Sequence, residues 1–184
     1  MTMTLLIDER IRLRALEPED LDLLYKWEND THLWERGSTL APFSRYILRE
    51  YIAHSGNDLY SYHQLRLMVE RRDTTERMGL VDLFDFDPHA SRAACGMLVD
   101  TPFQRQGYGS AALRLLMDYA FTFLRLHQLY AHVPATNEAS LRTLTRCGFV
   151  ECGMLKDWIR TPRGYADVRV MQLFEDQFKK GSLG

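Results

Sequence analysis

A short glycine-containing loop carries the clearest chemistry in the sequence. The string FQRQGYGS places Gly107 and Gly109 immediately before a long segment of helical periodicity. The first amides of a helix have no partner within the helix, and the helix dipole adds positive charge there, so this position favours an anion. Glycine lets a phosphate approach the backbone, and Gln104, Arg105 and Ser110 add side-chain hydrogen-bonding groups. The alternative is a tight turn in which the glycines only permit a positive φ angle.

Two phosphate-binding motifs can be compared with this string. The Walker pattern needs Gly-Lys-Ser or Gly-Lys-Thr after a longer loop, and the sequence contains neither, which excludes it. Gly107, Gly109 and Ala112 fit the dinucleotide pattern G-x-G-x-x-A, but that motif expects an acidic residue about 20 positions onward. The next strand ends in Val-Pro-Ala at 133–135, so NAD binding is a weak alternative.

The composition favours one globular domain, residues 1–184, because 46% apolar residues supply a substantial core. The formal net charge of −2 is spread along the chain, which disfavours nucleic acid and membrane surfaces as partners. No apolar run approaches the ~20 residues that cross a bilayer. Three cysteines without C-x-x-C spacing and a charged N-terminal segment favour the cytoplasm. The six histidines form no ligand pattern, so no metal site is predicted.

Hydrophobic periodicity predicts a mixture of strands and helices. The segment 93–133 reads as strand, helix and strand, which implies one parallel pair in an otherwise antiparallel sheet. A frayed tail is predicted from about 178. Strands are predicted at 11–15, 65–70, 78–86, 93–100, 128–133, 149–158 and 165–173, and helices at 18–29, 44–53, 107–126 and 137–147.

Gln104-x-x-Gly107-x-Gly109 resembles the acyl-coenzyme A signature Q/R-x-x-G-x-G/A of the GNAT superfamily of N-acetyltransferases. The resemblance extends over nearly the whole chain, least at 30–64, to bacterial spermidine and diamine N-acetyltransferases and ribosomal-protein N-terminal acetyltransferases. It implies acetyl-CoA as cofactor and the GNAT fold: an α+β fold with a mixed, mostly antiparallel sheet of about seven strands and helices on both faces. The other matching segments are IRLRALEPEDL, GLVDLFDFD, MDYAF, LYAHVPATNEAS and CGF.

The resemblance also implies which residues bind acetyl-CoA. Backbone groups of the fourth strand, at Met97, Leu98 and Val99, would pair with the pantetheine arm. Asn137 matches a position that commonly contacts the cofactor, and Ser140 would assist it; helix capping is the alternative for both. The pyrophosphate would be bound by the loop Gln104, Arg105, Gln106, Gly107, Tyr108, Gly109 and Ser110.

Acetyl transfer needs a neutral amine, a hydrogen-bond donor to the carbonyl oxygen and a leaving thiolate. A fourth-strand amide would be that donor, and we expect Leu98 to supply it. The tyrosine that protonates the thiolate in spermidine acetyltransferases corresponds to Leu144, so Tyr130 is the substitute candidate, with core packing as its alternative. Asp82 on the third strand is the candidate base; it would remove the ammonium proton or attract a cationic substrate, and a surface position is the alternative.

The acceptor is expected to be a primary amine. Relatives build the acceptor pocket from the region after the first strand, so Trp27, Trp34 and Glu35 are predicted to line it together with Asp82. Core packing is the alternative for the two tryptophans. Similarity favours a polyamine or diamine, but the acidic cluster expected after the first helix is replaced by ERGSTLAPFSRY, in which only Glu35 is negative. Peptide N-termini, amino sugars and a non-catalytic acyl-CoA sensor stay open, as does a homo-oligomer formed through the terminal strands.

Overall fold

One mixed β-sheet forms the centre of the protein. The computed structural model describes residues 5–34, 39, 41–55 and 59–181. The strands of this part are Ile11–Arg14 (β1), Leu65–Arg71 (β2), Arg77–Asp87 (β3), Arg92–Val99 (β4), Gln128–Pro134 (β5), Val150–Thr161 (β6) and Gly164–Phe174 (β7). They lie in the order β1-β2-β3-β4-β5-β7-β6, and every neighbouring pair is antiparallel except β4 with β5. The predicted mixed sheet and its parallel pair are therefore confirmed.

Helices cover both faces of the sheet. Alternate residues of one strand point to opposite faces. Leu67 and Val69 of β2 accordingly join a larger core with the fifth and sixth helices, whereas Met68 joins a smaller core under the first and third. None of the described helices is long and apolar enough to cross a membrane. The helices are Leu21–Glu28 (α1), Thr31–Trp34 (α2), Arg45–His54 (α3), Leu59–Tyr62 (α4), Tyr108–Asp118 (α5), Glu138–Arg146 (α6) and Glu175–Gly181 (α7).

The parallel pair at the middle of the sheet is short. Register pairs join Arg92–Ala94 of β4 to Gln128–Tyr130 of β5 and then stop. β5 pairs with β7 along its whole length, so it turns away from β4. Although β4 is a central strand, its residues from 96 to 99 are only half-buried. The two strands therefore diverge and leave a groove beside the end of β4.

Two element boundaries differ from the sequence prediction. The helix predicted at 107–126 is α-helical only to Asp118 and continues as a π-helical turn, Tyr119–Phe123. There the Thr122 hydroxyl donates to the Asp118 carbonyl oxygen, and this kind of side-chain bond competes with the regular ladder. The last two strands also extend into the predicted turn, which is tight because Gly164 adopts a φ of 120°.

The C-terminal segment contains a helix that the sequence did not predict. α7 spans Glu175–Gly181 and so includes the first residues of the tail that is predicted to fray from about 178. Phe178 packs against the larger core, with its ring centroid 5.2 Å from that of Phe121. A single apolar anchor after a charged stretch gives no periodic signal, which explains why the sequence did not predict this helix.

A buried ion network attaches the first helix to the sheet. Arg14 donates from Nη1 and Nη2 to the carboxylate of fully buried Asp20, at 2.7 and 3.0 Å, and from Nε to Glu70 at 2.6 Å. Burial opposes ionisation of Asp20, but the hydrogen bonds from Arg14 and the Glu17 amide outweigh it and hold its pKa below the usual value. The network thereby fixes the start of α1, the helix that carries Trp27 into the cleft described below.

Candidate active site

The loop between β4 and α5 is braced by its own side chains. Gln104 Nε2 donates to the Val99 carbonyl oxygen at 2.9 Å, and Gln106 Nε2 donates to that of Pro102 at 2.8 Å. Gly107 caps α5 with a left-handed φ of 85°, a conformation that other residues rarely adopt. The glutamine side chains therefore shape the loop, and the backbone amides are the groups it presents to an anion.

The first turn of α5 lies directly on β4. A Cβ atom added to Gly109 would lie 3.3 Å from Val99 Cγ2 and 3.6 Å from Met97 Sδ. The Ala111 amide is bonded to the Gly107 carbonyl oxygen at 3.0 Å, so the preceding amides are those that helix geometry leaves without an intrahelical partner. These amides and the helix dipole could together hold an anion at the position where the sequence predicted one.

The other predicted loop residues differ in their surroundings. The side chain of Tyr108 is buried in the larger core, where its ring packs edge-on to Phe103 at 6.4 Å. Arg105 is exposed and has a φ of 62°. Ser110 is half-buried in the first turn of the helix. Only Arg105 and Ser110 therefore have side chains that are free to approach a phosphate from this loop.

Backbone groups of β4 point alternately to its two neighbours. The Asp100 amide donates to a β3 carbonyl oxygen at 2.8 Å. The Leu98 carbonyl oxygen also faces β3, because a Cβ atom on Gly79 would lie only 2.0 Å from it. The Leu98 amide points to the same side, so the expectation that it polarises the acetyl carbonyl is corrected. The amides directed towards the groove are those of Met97 and Val99.

Asn137 and Ser140 form a helix cap. Asn137 Oδ1 accepts a hydrogen bond from the Ser140 amide at 3.3 Å, at the start of α6. Asn137 also lines a cavity of about 420 Å³ between this helix start and the β6–β7 hairpin. Capping, which the sequence left open as the alternative, accounts for the contact seen between these two residues.

A larger cleft lies on the face of the sheet that carries α1. Its volume of about 490 Å³ falls in the range of roughly 300–1,000 Å³ typical of small-molecule sites. Trp27, Trp34 and Asp82, all predicted to line the acceptor pocket, meet here with Met97 and Leu98 of β4. The Trp34 indole is held by a hydrogen bond of 2.6 Å from Nε1 to the carbonyl oxygen at the end of α1. Glu35, predicted alongside them, lies outside the described residues.

An ion triad of Glu28, Arg66 and Asp82 forms the charged wall of this cleft. Arg66 donates to both Asp82 oxygens, from Nε at 2.7 Å and from Nη2 at 3.2 Å, and from Nη1 to Glu28 Oε1 at 2.6 Å. The three side chains are only 16 to 19% exposed. Burial opposes ionisation of Arg66, but the nearby carboxylates outweigh it and raise its pKa. Two carboxylates against one guanidinium leave one net negative charge.

Sequence reasoning missed two members of the triad. Arg66 and Asp82 are direct cross-strand partners in the β2–β3 register. Opposite charges at facing positions attract each other, so the pair would have been predicted once the register was known. Glu28 comes from the end of α1, and no local pattern links it to either strand.

His63 also lines the cleft, where the sequence predicted only a surface or packing role. Its Nδ1 lies 2.7 Å from the Phe86 carbonyl oxygen. Because a carbonyl oxygen only accepts, Nδ1 carries the proton and Nε2 of the neutral ring is left as an acceptor. Asp85, predicted to be a solvated surface residue, is exposed and lies on the same cleft wall.

Tyr130 and Leu144, the positions considered for thiolate protonation, do not contribute to this lining among the described residues. Tyr130 is opposite Ala94, in the last register pair before β4 and β5 diverge. Burial, helped by the charge of Asp85, raises the pKa of Tyr130, so its phenol stays protonated. Leu144 is 4% exposed and packs in the larger core.

The chain is similar to proteins of known activity. The sequence profile described as acetyltransferase (GNAT) domain matches residues 10–150. Spermidine N(1)-acetyltransferase of Escherichia coli K12 is 30% identical over 172 residues, which cover 91% of this chain and 88% of the relative. The crystal structure of spermidine N-acetyltransferase from Vibrio cholerae in complex with CoA and spermine has a TM-score of 0.84 at 26% identity, over 94% of this chain and 99% of that one. A dodecameric structure of the Vibrio cholerae enzyme, also 26% identical, gives a TM-score of 0.79 over 95% and 99%.

Proposed function

The chain belongs to the GNAT family of acetyltransferases and uses acetyl-CoA, and from this premise we propose that it acetylates a primary amine of a diamine or polyamine. The observation that carries this proposal is the ion triad, which sets one net negative charge into the wall of a cleft that reaches β4. Similarity to spermidine N-acetyltransferases at 26 and 30% identity supports the same class of acceptor.

The residues present fit acetyl-CoA. Residues 97–99 of β4 are half-buried, and among the described residues no strand pairs with them on the side of β5. Glycine at 109 lets the start of α5 approach β4 closely, because a Cβ atom there would lie 3.3 Å from the Val99 side chain. When bound, acetyl-CoA supplies an activated thioester. The amides of Met97 and Val99 would orient its arm and polarise the carbonyl, and the amides of 108–110 would hold the pyrophosphate.

Asp82 would bind the ammonium group of the acceptor. A Cβ atom on Gly96 would lie 4.0 Å from Asp82 Oδ2, so no side chain of β4 separates the carboxylate from that strand. Arg66 occupies both carboxylate oxygens, which favours attraction of the cation over direct removal of its proton. Trp34 offers aromatic surface to the methylene chain between amines, whereas Trp27 is only 3% exposed and packs mainly in the smaller core.

Protonation of the leaving thiolate is assigned to Tyr130 or to water. Leu144 takes the place of the tyrosine found in spermidine acetyltransferases and is buried in the core. An unperturbed thiol has a pKa of ~8.5, so its thiolate departs without a dedicated acid. Tyr130 lies beside the divergence of β4 and β5 and is the proposed donor within the protein.

The test of the proposal is release of free thiol from acetyl-CoA with spermidine, a diamine, an amino sugar and a short peptide. We expect the highest kcat/KM with spermidine or the diamine. The rival function, a non-catalytic acyl-CoA sensor, predicts calorimetric binding of CoA without thiol release from any amine. Preference for the peptide would instead identify a protein N-terminal acetyltransferase and contradict the proposal.

The exposed edge of the sheet suggests that copies of the chain associate. β6 is an outer strand of the sheet and exposes Val150, Met154 and Trp158, so we infer that copies of the chain associate along this edge, a property that light scattering would report. A monomer at all concentrations would contradict it.

We place the protein in the cytoplasm, where its three free cysteines stay reduced.

A further inference from the structure

The side chain of Arg10, the residue before β1, reaches the loop between β4 and α5. Its hydrogen-bond partner there, Gln106, is 96 residues away in sequence. Its Nη2 donates to the Gln106 carbonyl oxygen at 2.9 Å, and its Cζ lies 4.5 Å from the centroid of the Tyr108 ring. Its Nη1 would lie 3.5 Å from a Cβ atom on Gly107. One guanidinium therefore contacts three successive residues of the loop whose amides face the cofactor.

Arg10 is itself held by an ordered turn. The Asp8 carboxylate accepts from the amides of Arg10 and Ile11, both at 2.7 Å. The Arg72 amide donates to the Arg10 carbonyl oxygen at 3.0 Å, and Arg72 Nη1 donates to the Asp8 carbonyl oxygen at 2.7 Å. The turn therefore fixes the backbone from which the Arg10 side chain extends, and the contacts with Gln106 and Tyr108 orient the guanidinium.

The chemistry of the guanidinium matches the loop. Arginine is a permanent cation with five N–H donors, suited to phosphate, and Arg10 uses one of these donors on Gln106. That bond also satisfies a carbonyl oxygen in a loop that must present amides to an anion. The cation adds to the partial positive charge of the α5 N-terminus.

We propose that Arg10 is a positioning residue for the phosphate groups of acetyl-CoA. It holds the loop at 106–108 in the conformation that exposes its amides, and it directs its remaining donors at a phosphate of the cofactor. The signature Q/R-x-x-G-x-G/A does not include this residue, so cofactor affinity in this chain depends on a contact outside the motif. The inference rests on the use of acetyl-CoA and not on the identity of the acceptor.

The experiment compares wild type with Arg10→Gln, which keeps a donor for the loop carbonyl but removes the charge, and with Arg10→Lys, which keeps the charge. Calorimetry gives Kd for CoA and 3′-dephospho-CoA, and kinetics give KM for acetyl-CoA and for S-acetylpantetheine, which has no phosphate. We expect Arg10→Gln to weaken CoA binding and raise KM for acetyl-CoA about tenfold, equal to about 1.4 kcal/mol, with little change in kcat. Arg10→Lys should recover part of the loss, and KM for S-acetylpantetheine should not change.

The comparison of CoA with 3′-dephospho-CoA identifies the phosphate group that Arg10 contacts. An equal loss with CoA and 3′-dephospho-CoA assigns the contact to the pyrophosphate, and a smaller loss with 3′-dephospho-CoA assigns it to the 3′-phosphate. The control is Arg71→Gln, which removes a positive charge near the same sheet edge whose side-chain hydrogen bonds go to Asp73 and Glu76. An unchanged Kd for CoA in Arg10→Gln, an equal loss in Arg71→Gln, or an equal rise in KM for S-acetylpantetheine would each overturn the proposal. Calorimetry decides this even if wild type acetylates no amine, which would instead contradict the proposed function.

Discussion

At the residue scale, the charge of the proposed acceptor cleft, the 490 Å³ cleft lined by Trp34 and Asp82, depends on Asp82. Without this carboxylate, Glu28 and Arg66 would cancel and the wall would carry no net charge. The side chains of the triad are mostly shielded from solvent, and shielding from water strengthens their interaction with a bound cation. A polyamine carries several ammonium groups, so its attraction to the cleft depends on this balance more than that of a peptide N-terminus does.

We therefore predict that Asp82→Asn lowers kcat/KM for spermidine about 30-fold, near the ~2 kcal/mol of a hydrogen bond to a charged group. The loss should be smaller for a short neutral peptide. The measurement is steady-state thiol release with each acceptor, and thermal unfolding checks that the variant is folded. Asp73→Asn, which removes an exposed carboxylate in the β2–β3 turn, away from the cleft, is the control and should change little. If Asp82→Asn matches wild type on every accepted substrate, Asp82 is only structural.

Sequence reasoning reached some of these residues and not others. Asp82, Trp27 and Trp34 were predicted from the resemblance, because relatives build the acceptor pocket and place a carboxylate in these parts of the chain, and the structure brings the three residues together. Arg66 was missed because its contact with Asp82 depends on the strand register, which alternation alone leaves open. The direction of the Leu98 amide was wrong for the same reason, since it depends on how β4 pairs with β3.

At the element scale, the cofactor groove depends on how β4, β5 and α5 meet. The hydrophobic periodicities of 2 and 3.6 residues predicted all three elements, and the strand–helix–strand order predicted that β4 and β5 are parallel. The sequence did not predict that the pairing stops at Ala94, because the length of a parallel pair is set by the packing of both strands against the rest of the sheet. This divergence creates the half-exposed backbone that the predicted cofactor site needs.

The left-handed start of α5 leads to a second prediction. Gly107→Ala should lower the unfolding temperature, because a left-handed residue other than glycine costs roughly 1–2 kcal/mol, and it should also weaken CoA binding by displacing the loop amides. Gly164, which has a φ of 120° at the β6–β7 turn, provides the control. Gly164→Ala should lower the unfolding temperature and leave the calorimetric Kd for CoA unchanged. CoA affinity preserved in both variants would show that the loop does not bind the cofactor.

At the scale of the whole molecule, a net charge of −2 conceals a separation of charge. The proposed acceptor cleft carries net negative charge, whereas the loop between β4 and α5 has the positive charge of Arg10 beside it. Composition predicted neither, because a sum over the chain does not contain the positions of the charges. A third set of charges, the Arg14–Asp20–Glu70 network, joins the start of α1 to β1 and β2 and contributes to stability.

This network makes stability depend on pH in a defined direction. Hydrogen bonds from Arg14 outweigh burial and hold the pKa values of Asp20 and Glu70 below their usual ones. Their contribution is therefore complete above the unfolded pKa values, ~3.9 and ~4.3, and is lost as pH falls through the folded ones. Asp20→Asn should cost about 3 kcal/mol at neutral pH and flatten the acid limb of the unfolding free energy. Asp73→Asn, in the exposed β2–β3 turn, should have a much smaller effect on both, because solvent screens its ion pair with Arg71. Equal acid limbs in Asp20→Asn and wild type would contradict the assignment.

The central claim, transfer of the acetyl group from acetyl-CoA to a polyamine or diamine, is tested most directly by competition. Limiting isotope-labelled acetyl-CoA is added to an equimolar mixture of spermidine, a diamine, an amino sugar and a short peptide, and mass spectrometry locates the label. The distribution of label reports the ratio of kcat/KM values. We expect most of the label on spermidine or the diamine, and in Asp82→Asn a shift away from them. Label found mainly on the peptide or the amino sugar, or on no amine at all, would contradict the proposed function.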